Sequence, residues 1–121
     1  MYILFSIGVK DMKAKDILTL DYTCMSHTST LDNTFCGVYA TDLLSQAIKS
    51  ATQNAALITL ISHDTTVALA MMIDLPIIII SEDKKVIPSM ILKCNEEHIC
   101  LISTALKTHE IIIDFMKRGL L

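Results

Sequence analysis

A repeating order of local structure between residues 37 and 119 constrains the fold of this chain more than any other feature. Four times a run of apolar residues leads into a short polar turn, and the turn opens a stretch with helical periodicity. The junctions lie at residues 38–44, 60–65, 77–81 and 100–104. Strands that alternate with helices at this spacing predict an α/β fold, a single domain with a mainly parallel β-sheet and helices packed on it.

Polar side chains follow the predicted strands at the points where these strands end. The carboxyl ends of parallel strands form the edge of the sheet at which α/β folds bind ligands. Hydroxyls, an imidazole and the free N–H groups of a helix N-terminus attract an anion or a nucleotide phosphate. The expected ligand-binding residues are Ser62, His63, Asp64, Thr65 and Thr66, flanked by Thr41 and Asp42 and by Ser103 and Thr104.

The same polar residues have two other interpretations. Helix N-caps use Ser, Thr and Asp, so Asp64 and the hydroxyls could serve only to cap a helix, with His63 a solvated loop residue. An enzyme with His63 as general base needs a nucleophile or substrate within reach, and the sequence places none.

Composition bounds the remaining function classes. The net charge is -3 with a single Arg, so the basic footprint of a nucleic-acid-binding protein is missing. Hydrophobic residues make up 52% of the chain, and the apolar strands of a parallel sheet covered on both faces would account for so high a share. The longest apolar stretch, residues 67–80, contains Asp74 and Pro76 and is shorter than the ~18–20 residues of a membrane span. We therefore expect neither a nucleic-acid nor a membrane partner.

Catalytic and cofactor motifs are not found in the sequence. Its three glycines cannot build a P-loop or a dinucleotide-binding loop, and no nucleophile elbow occurs. The four Cys and four His lack the spacing of metal ligands. The cysteines are expected to be reduced residues of a cytoplasmic protein. No cofactor, no metal and no enzymatic activity are predicted.

Local periodicity predicts one strand over residues 34–40, with Gly37 at a bulge or close approach, and a central strand over residues 77–80. Helices are expected over residues 42–52, capped by Thr41 or Asp42, over residues 65–73, capped by Asp64, and from Thr108 onwards. The residues predicted to face inward are Leu43, Leu44, Ala47, Ile48 and Ala51 in the first helix, Val67, Ala68, Met71 and Met72 in the second, and Ile111, Ile112, Phe115 and Met116 in the last.

Residues 1–11 stand apart from this pattern. They are apolar without the basic start of a signal peptide, and the organised sequence begins at Met12. We expect either a dispensable extension or a short edge strand there, and a domain over residues 12–121.

Three segments in order resemble the DRTGG domain family. Residues 37–45, Gly-Val-Tyr-Ala-Thr-Asp-Leu-Leu-Ser, are similar to the start of that domain. Residues 59–63 resemble its Thr-x-x-Thr-His segment, and residues 102–104 and 108–110 resemble its closing Leu-Ser-Thr and Thr-x-Glu helix. The name-giving Asp-Arg-Thr-Gly-Gly is degraded here to Asp-Asn-Thr-Phe-Cys-Gly at residues 32–37.

This resemblance implies a regulatory or ligand-sensing module similar to the N-terminal, non-catalytic domain of HPr kinase/phosphorylase. The family implies an α/β fold that often dimerises, without an established catalytic activity. We therefore expect a module that binds a nucleotide or phosphorylated metabolite and forms a homodimer. The alternatives are a protein-interaction or dimerisation adaptor without a small ligand, and a component of an HPr-kinase-related enzyme.

Overall fold

The computed structural model describes residues 2–3, by their backbone only, and residues 11–121. Its strands are Tyr2–Ile3 (β1), Met12–Lys13 (β2), Tyr22–Cys24 (β3), Thr34–Phe35 (β4), Val38–Ala40 (β5), Ala56–Thr59 (β6), Ile77–Ile80 (β7) and Cys100–Thr104 (β8). Its α-helices are Leu44–Ser50 (α1), Asp64–Met72 (α2), Pro88–Glu96 (α3) and Thr108–Lys117 (α4), and two 3-10 helices cover Ala14–Ile17 and Thr28–Asp32.

The main sheet has the strand order β1-β5-β6-β7-β8-β3. Strands β5 to β8 are parallel to one another, whereas β1 and β3 pair antiparallel at the two ends. Strand β7, four consecutive isoleucines that are fully buried, lies inside the sheet as predicted. The mainly parallel α/β fold expected from the sequence is confirmed.

Two apolar layers cover the sheet. On one face α1, α2 and α3 pack over Leu57, Ile78, Ile80 and Leu101. On the other face α4, the first 3-10 helix and β4 pack over residues such as Ile79. No helix among the described residues is long and apolar enough to cross a membrane.

The strand predicted over residues 34–40 is in fact two strands in different sheets. Strand β4 pairs antiparallel with β2, and β5 joins the main sheet. The chain turns between them at Gly37, whose φ of 77° lies in the left-handed region that glycine adopts without steric cost. The N–H of Cys36 and the carbonyl of Gly37 bond to Asn54 and Ala56 instead of continuing one ladder.

The inward faces predicted for three helices were partly wrong. In α2 the buried residues are Thr66, Val67, Leu69 and Ala70, whereas Ala68, Met71 and Met72 are exposed. Apolar residues lie on all sides of this helix, so periodicity does not define one face. Leu43 and Ile48 near α1 and Met116 in α4 are also exposed. The other residues predicted to face inward in these two helices are buried or packed against the core, namely Leu44, Ala47, Ala51, Ile111, Ile112 and Phe115.

Only part of the expected extension at residues 1–11 lies within the described residues. Backbone pairing places Tyr2 opposite Tyr39 and Ile3 opposite Val38. The remainder, except Asp11, lies outside the described residues. Whether residues 1–11 are dispensable stays a prediction.

Candidate functional site

The turn between β6 and α2 contains the centre of the predicted ligand site. His63 is the N-cap of α2: its Nδ1 accepts the N–H of Thr65 at 3.3 Å, and its carbonyl accepts the N–H of Thr66 at 3.0 Å. Asp64, predicted as the cap, instead lies in the first turn and accepts a hydrogen bond from the Ser89 hydroxyl at 2.9 Å. Because Nδ1 of His63 accepts a hydrogen bond, the neutral form of this ring carries its proton on Nε2.

Two of the predicted hydroxyls in this turn already donate hydrogen bonds to backbone carbonyls of the protein. The Ser62 hydroxyl donates to the carbonyl of Lys85 in the loop that follows β7. Thr66 is fully buried, and its hydroxyl donates to the carbonyl of Ile61 at 2.7 Å. The exposed side chains of the turn are therefore those of His63 and Thr65.

The structure brings Asp42 to this turn, as the neighbouring strands β5 and β6 require. Its Oδ1 accepts the N–H of Leu60 at 2.7 Å and the hydroxyl of Thr59 at 3.2 Å. The Thr41 side chain instead bonds within its own loop, because its hydroxyl oxygen accepts the N–H of Leu43 at 3.0 Å. Neither Thr41 nor Asp42 is the N-cap of α1, a position held by Leu43.

Ser103 and Thr104 are separated from the turn by β7, which lies between β6 and β8. They line a different cavity of about 260 Å³ together with Asp21, Thr23 and Asp83. The Thr104 side chain is nearly buried and donates to the carbonyl of Asp21 at 2.7 Å. The nine predicted residues thus form two groups at the same edge of the sheet.

Ser81 is a polar residue at this edge that the sequence analysis did not select. It follows β7 directly and is fully buried, yet its hydroxyl has no hydrogen-bond partner among the described residues. A buried, unpaired hydroxyl costs about 1–3 kcal/mol of stability. The sequence does contain a signal for this residue, because a Ser directly after four isoleucines places a polar group at the end of the central strand.

The described thiols and carboxylates are not grouped for metal binding, and two of the thiols are buried. No group of three or more His, Cys, Asp or Glu among the described residues is placed to hold a metal ion. Burial raises the pKa of the Cys94 thiol and of the Cys100 thiol to about 12 each. At neutral pH both are therefore protonated and weakly nucleophilic.

Comparison with known proteins supports the fold. No protein-family model and no curated protein matches the chain. Among solved structures it is similar to the crystal structure of the CBS and DRTGG domains of the regulatory region of Clostridium perfringens pyrophosphatase, complexed with the activator diadenosine tetraphosphate. The two are 12% identical with a TM-score of 0.68, and the match covers 93% of this chain and 53% of that one. This chain, which spans about half the length of that structure, shares an α/β fold with it.

Proposed function

We propose that this protein is a non-catalytic regulatory module that binds a small anionic ligand, a nucleotide or a phosphorylated metabolite. The observation that carries the proposal is the likeness to a regulatory region whose structure holds a nucleotide activator. The sequence adds that no P-loop is present to hold ATP for phosphoryl transfer. The four cysteines form no disulfide with one another, which is consistent with a reducing compartment such as the cytoplasm.

We place the ligand at the β6–α2 turn, on the exposed side chains of His63 and Thr65. The Nε2–H of His63 and the Thr65 hydroxyl are the donors left over after the turn has made its own bonds. Lys84 and Lys85 are exposed, and the Ser62 bond ties their loop to the same turn. These two ammonium groups would offset the negative charge of Asp42 and Asp64 when a phosphate approaches.

Nucleotide binding should appear as a rise in the melting temperature. We expect AMP, ATP or diadenosine tetraphosphate to stabilise the purified chain, by about 2.7 kcal/mol at a hundred times the dissociation constant. His63→Asn should abolish this gain without unfolding α2, because Asn is itself a good N-cap. The control is His109→Asn, which removes an exposed imidazole from the first turn of α4. The measurement is differential scanning fluorimetry.

Several outcomes would count against the site. If no nucleotide, and no inorganic phosphate, shifts the melting temperature, the module has no anionic ligand of this class. If binding occurs but both histidine variants retain it, the ligand lies elsewhere, and the cavity at Ser103 and Thr104 is the next position to mutate. Equal loss in both variants would indicate a nonspecific effect of removing imidazole.

We also infer that the protein forms a homodimer, and the same surface would serve an adaptor without a small ligand. Helices α1, α2 and α3 pack side by side, and their outer surface exposes Ile48, Met72 and Leu92 by 50%, 67% and 60%. Apolar side chains gathered on one exposed layer are typical of an interaction surface.

Met72→Glu should convert the dimer into a monomer, because a carboxylate on the middle helix of this layer cannot be buried without a partner. Met116→Glu is the matched control, since Met116 is similarly exposed but lies on α4, across the sheet. Sedimentation velocity at micromolar concentration measures both. If the native chain is a monomer, the homodimer is contradicted. If only Met116→Glu dissociates the dimer, the interface lies on α4 instead.

A further inference from the structure

One buried hydroxyl at the carboxyl edge of the sheet has no hydrogen-bond partner among the described residues. Five polar side chains are buried in this part of the chain, and four of them form hydrogen bonds, namely Thr30, Thr59, Thr66 and Thr104. Ser81 is the exception, although it is fully buried. Buried polar groups without a partner are destabilising and rare, so this hydroxyl indicates a partner that joins it in another state of the protein.

Ser81 lies next to the turn at which we place the anion. Its backbone N–H donates to the carbonyl of Thr59 at 3.1 Å, which extends the pairing of β7 with β6 by one residue. Strand β6 leads directly into the turn that contains His63. The unpaired hydroxyl is therefore at the end of the strand beside the one that leads to the candidate site.

The residues that follow this serine are bonded to the neighbouring strand β8 and its loop. The N–H of Glu82 donates to the carbonyl of Leu106 at 2.9 Å, and the N–H of Asp83 donates to the carbonyl of Thr104 at 2.8 Å. We refer to residues 81–85 as the strap. These two bonds hold the strap towards β8, in a position that we call closed.

The far end of the strap is bonded to the candidate site itself. The carbonyl of Lys85 accepts the hydroxyl of Ser62, which belongs to the β6–α2 turn. The strap thus crosses the carboxyl edge of the sheet from β8 to β6. A release of its bonds to β8 would leave Lys84 and Lys85 beside the turn.

The backbone of the closed strap is in an unfavourable conformation. Glu82 and Asp83 have φ of 59° and 57°, so two consecutive residues other than glycine lie in the left-handed region. Each has a steric cost in that region because of its Cβ atom. This cost and the unpaired hydroxyl of Ser81 both belong to the closed strap, so a movement of the strap can relieve both.

We propose that the strap releases its bonds to Thr104 and Leu106 when the anion binds at the β6–α2 turn, and that the Ser81 hydroxyl then donates to a phosphate oxygen. This step rests on the proposed anion binding and adds a binding residue and a conformational change to the same site. The movement is necessary because a fully buried hydroxyl cannot contact a ligand. The phosphate oxygen is a charged acceptor, the class that forms the stronger hydrogen bonds.

Ser81→Ala distinguishes this role from a structural one, because it should change two quantities in opposite directions. The unliganded variant should melt about 2–4 °C above the native chain, since it no longer buries an unpaired hydroxyl. Its affinity for the nucleotide should fall about tenfold, the size of one hydrogen bond to a charged group. The control is Ser29→Ala, an exposed serine in the second 3-10 helix, which should change the affinity by less than about twofold.

The probe is whichever of AMP, ATP and diadenosine tetraphosphate stabilises the native chain most, and isothermal titration calorimetry measures its affinity. Hydrogen exchange of the native chain then tests the movement without any substitution. The amides of Glu82 and Asp83 should lose protection when the nucleotide is saturating. The amide of Leu120, which is bonded to the carbonyl of Phe115 at 2.9 Å, should keep its protection.

The outcomes separate the strap from the anion site. If no nucleotide binds the native chain, both are contradicted. If a nucleotide binds and Ser81→Ala keeps the native affinity, only the strap is contradicted, since the hydroxyl does not contact the ligand. A lower melting temperature of unliganded Ser81→Ala would also overturn the proposal, because the hydroxyl would then have a partner in the free protein. So would increased protection of the Glu82 and Asp83 amides in the complex.

Discussion

Replacing Phe115 with Ala is expected to lower the free energy of unfolding by about 3–5 kcal/mol, the usual cost of deleting a buried aromatic ring. Phe115 is fully buried in α4, and its ring centroid lies 6.1 Å from that of Tyr22 and 6.3 Å from that of Phe35. The ring therefore joins the last helix to an edge strand and to the small sheet. Removing it opens a cavity that three separate elements must collapse to fill.

The next residue along the chain is the matched control for this prediction. Met116 is 59% exposed, so Met116→Ala should change the free energy of unfolding by less than about 1 kcal/mol. Urea unfolding followed by circular dichroism measures both variants. Helical periodicity alone had assigned Met116 to the buried face with Phe115. Equal costs for the two substitutions would support that assignment and contradict the orientation of α4.

The order of strands and helices could be predicted because it depends on local sequence. Four consecutive isoleucines bounded by Pro76 and Ser81 have few alternatives to a buried strand, and β7 lies there. Helix α3 begins at Pro88, since proline is tolerated only in the first turn of a helix. The positive φ of Gly119 after α4 likewise follows from its role after a helix C-terminus.

The inward faces of the helices were harder to predict, because they depend on the sheet that each helix meets. Helix α4 has Ile111 and Phe115 four positions apart, and these two are buried. Met116 is one position further, about 100° around the helix, and this rotation is sufficient to expose it. In α2 an apolar residue lies at nearly every position, so only tertiary contact selects Leu69 over Met72.

The candidate site illustrates the same limit at the level of hydrogen bonds. Sequence placed polar residues at the strand ends, and the structure has them there. Their partners could not be predicted, since Asp42 bonds to Leu60 and Ser62 to Lys85 across 18 and 23 residues.

Arg118, the single arginine of the chain, should matter more to stability than its partly exposed position suggests. Its guanidinium donates to the Asp114 carboxylate at 2.8 Å and to the carbonyls of Asp16 and Ile17 at 2.9 and 3.0 Å. It also lies 5.6 Å from the centre of the Tyr22 ring. The Arg118 side chain thus connects the end of α4 to the first 3-10 helix and to β3.

Arg118→Ala should therefore cost about 2–3 kcal/mol, at roughly 1 kcal/mol for each of two backbone bonds and less for the ring contact and the partly exposed ion pair together. Arg118→Lys should recover less than half of this loss, because an ammonium cannot reach two carbonyls and a carboxylate in one plane. Lys117→Ala, an exposed neighbour, should cost less than about 0.5 kcal/mol. Equal stability of the Lys and Arg forms would mean that charge alone, and not the planar group, accounts for the effect.

The dependence of this loss on pH separates the ion pair from the rest of the Arg118 contacts. Burial alone would raise the pKa of Asp114, but the hydrogen bonds from Arg118 and Tyr22 and the charge of Arg118 outweigh it and lower that pKa. A lowered folded-state pKa gives stability that is present above the unfolded value of about 3.9 and is lost as the pH falls through the folded value.

Arg118→Ala removes the hydrogen bond and the charge of Arg118, which lower the pKa of Asp114, while the Tyr22 hydrogen bond remains. The acid-sensitive part of the stability is therefore smaller in the variant. The difference in unfolding free energy between native chain and variant should then be largest near pH 7 and become smaller at low pH, once Asp114 is protonated in the native chain. Urea unfolding at pH 7 and at progressively lower pH measures it. The same difference throughout would show that Arg118 acts through the Asp16 and Ile17 carbonyls and the Tyr22 ring, and not through Asp114.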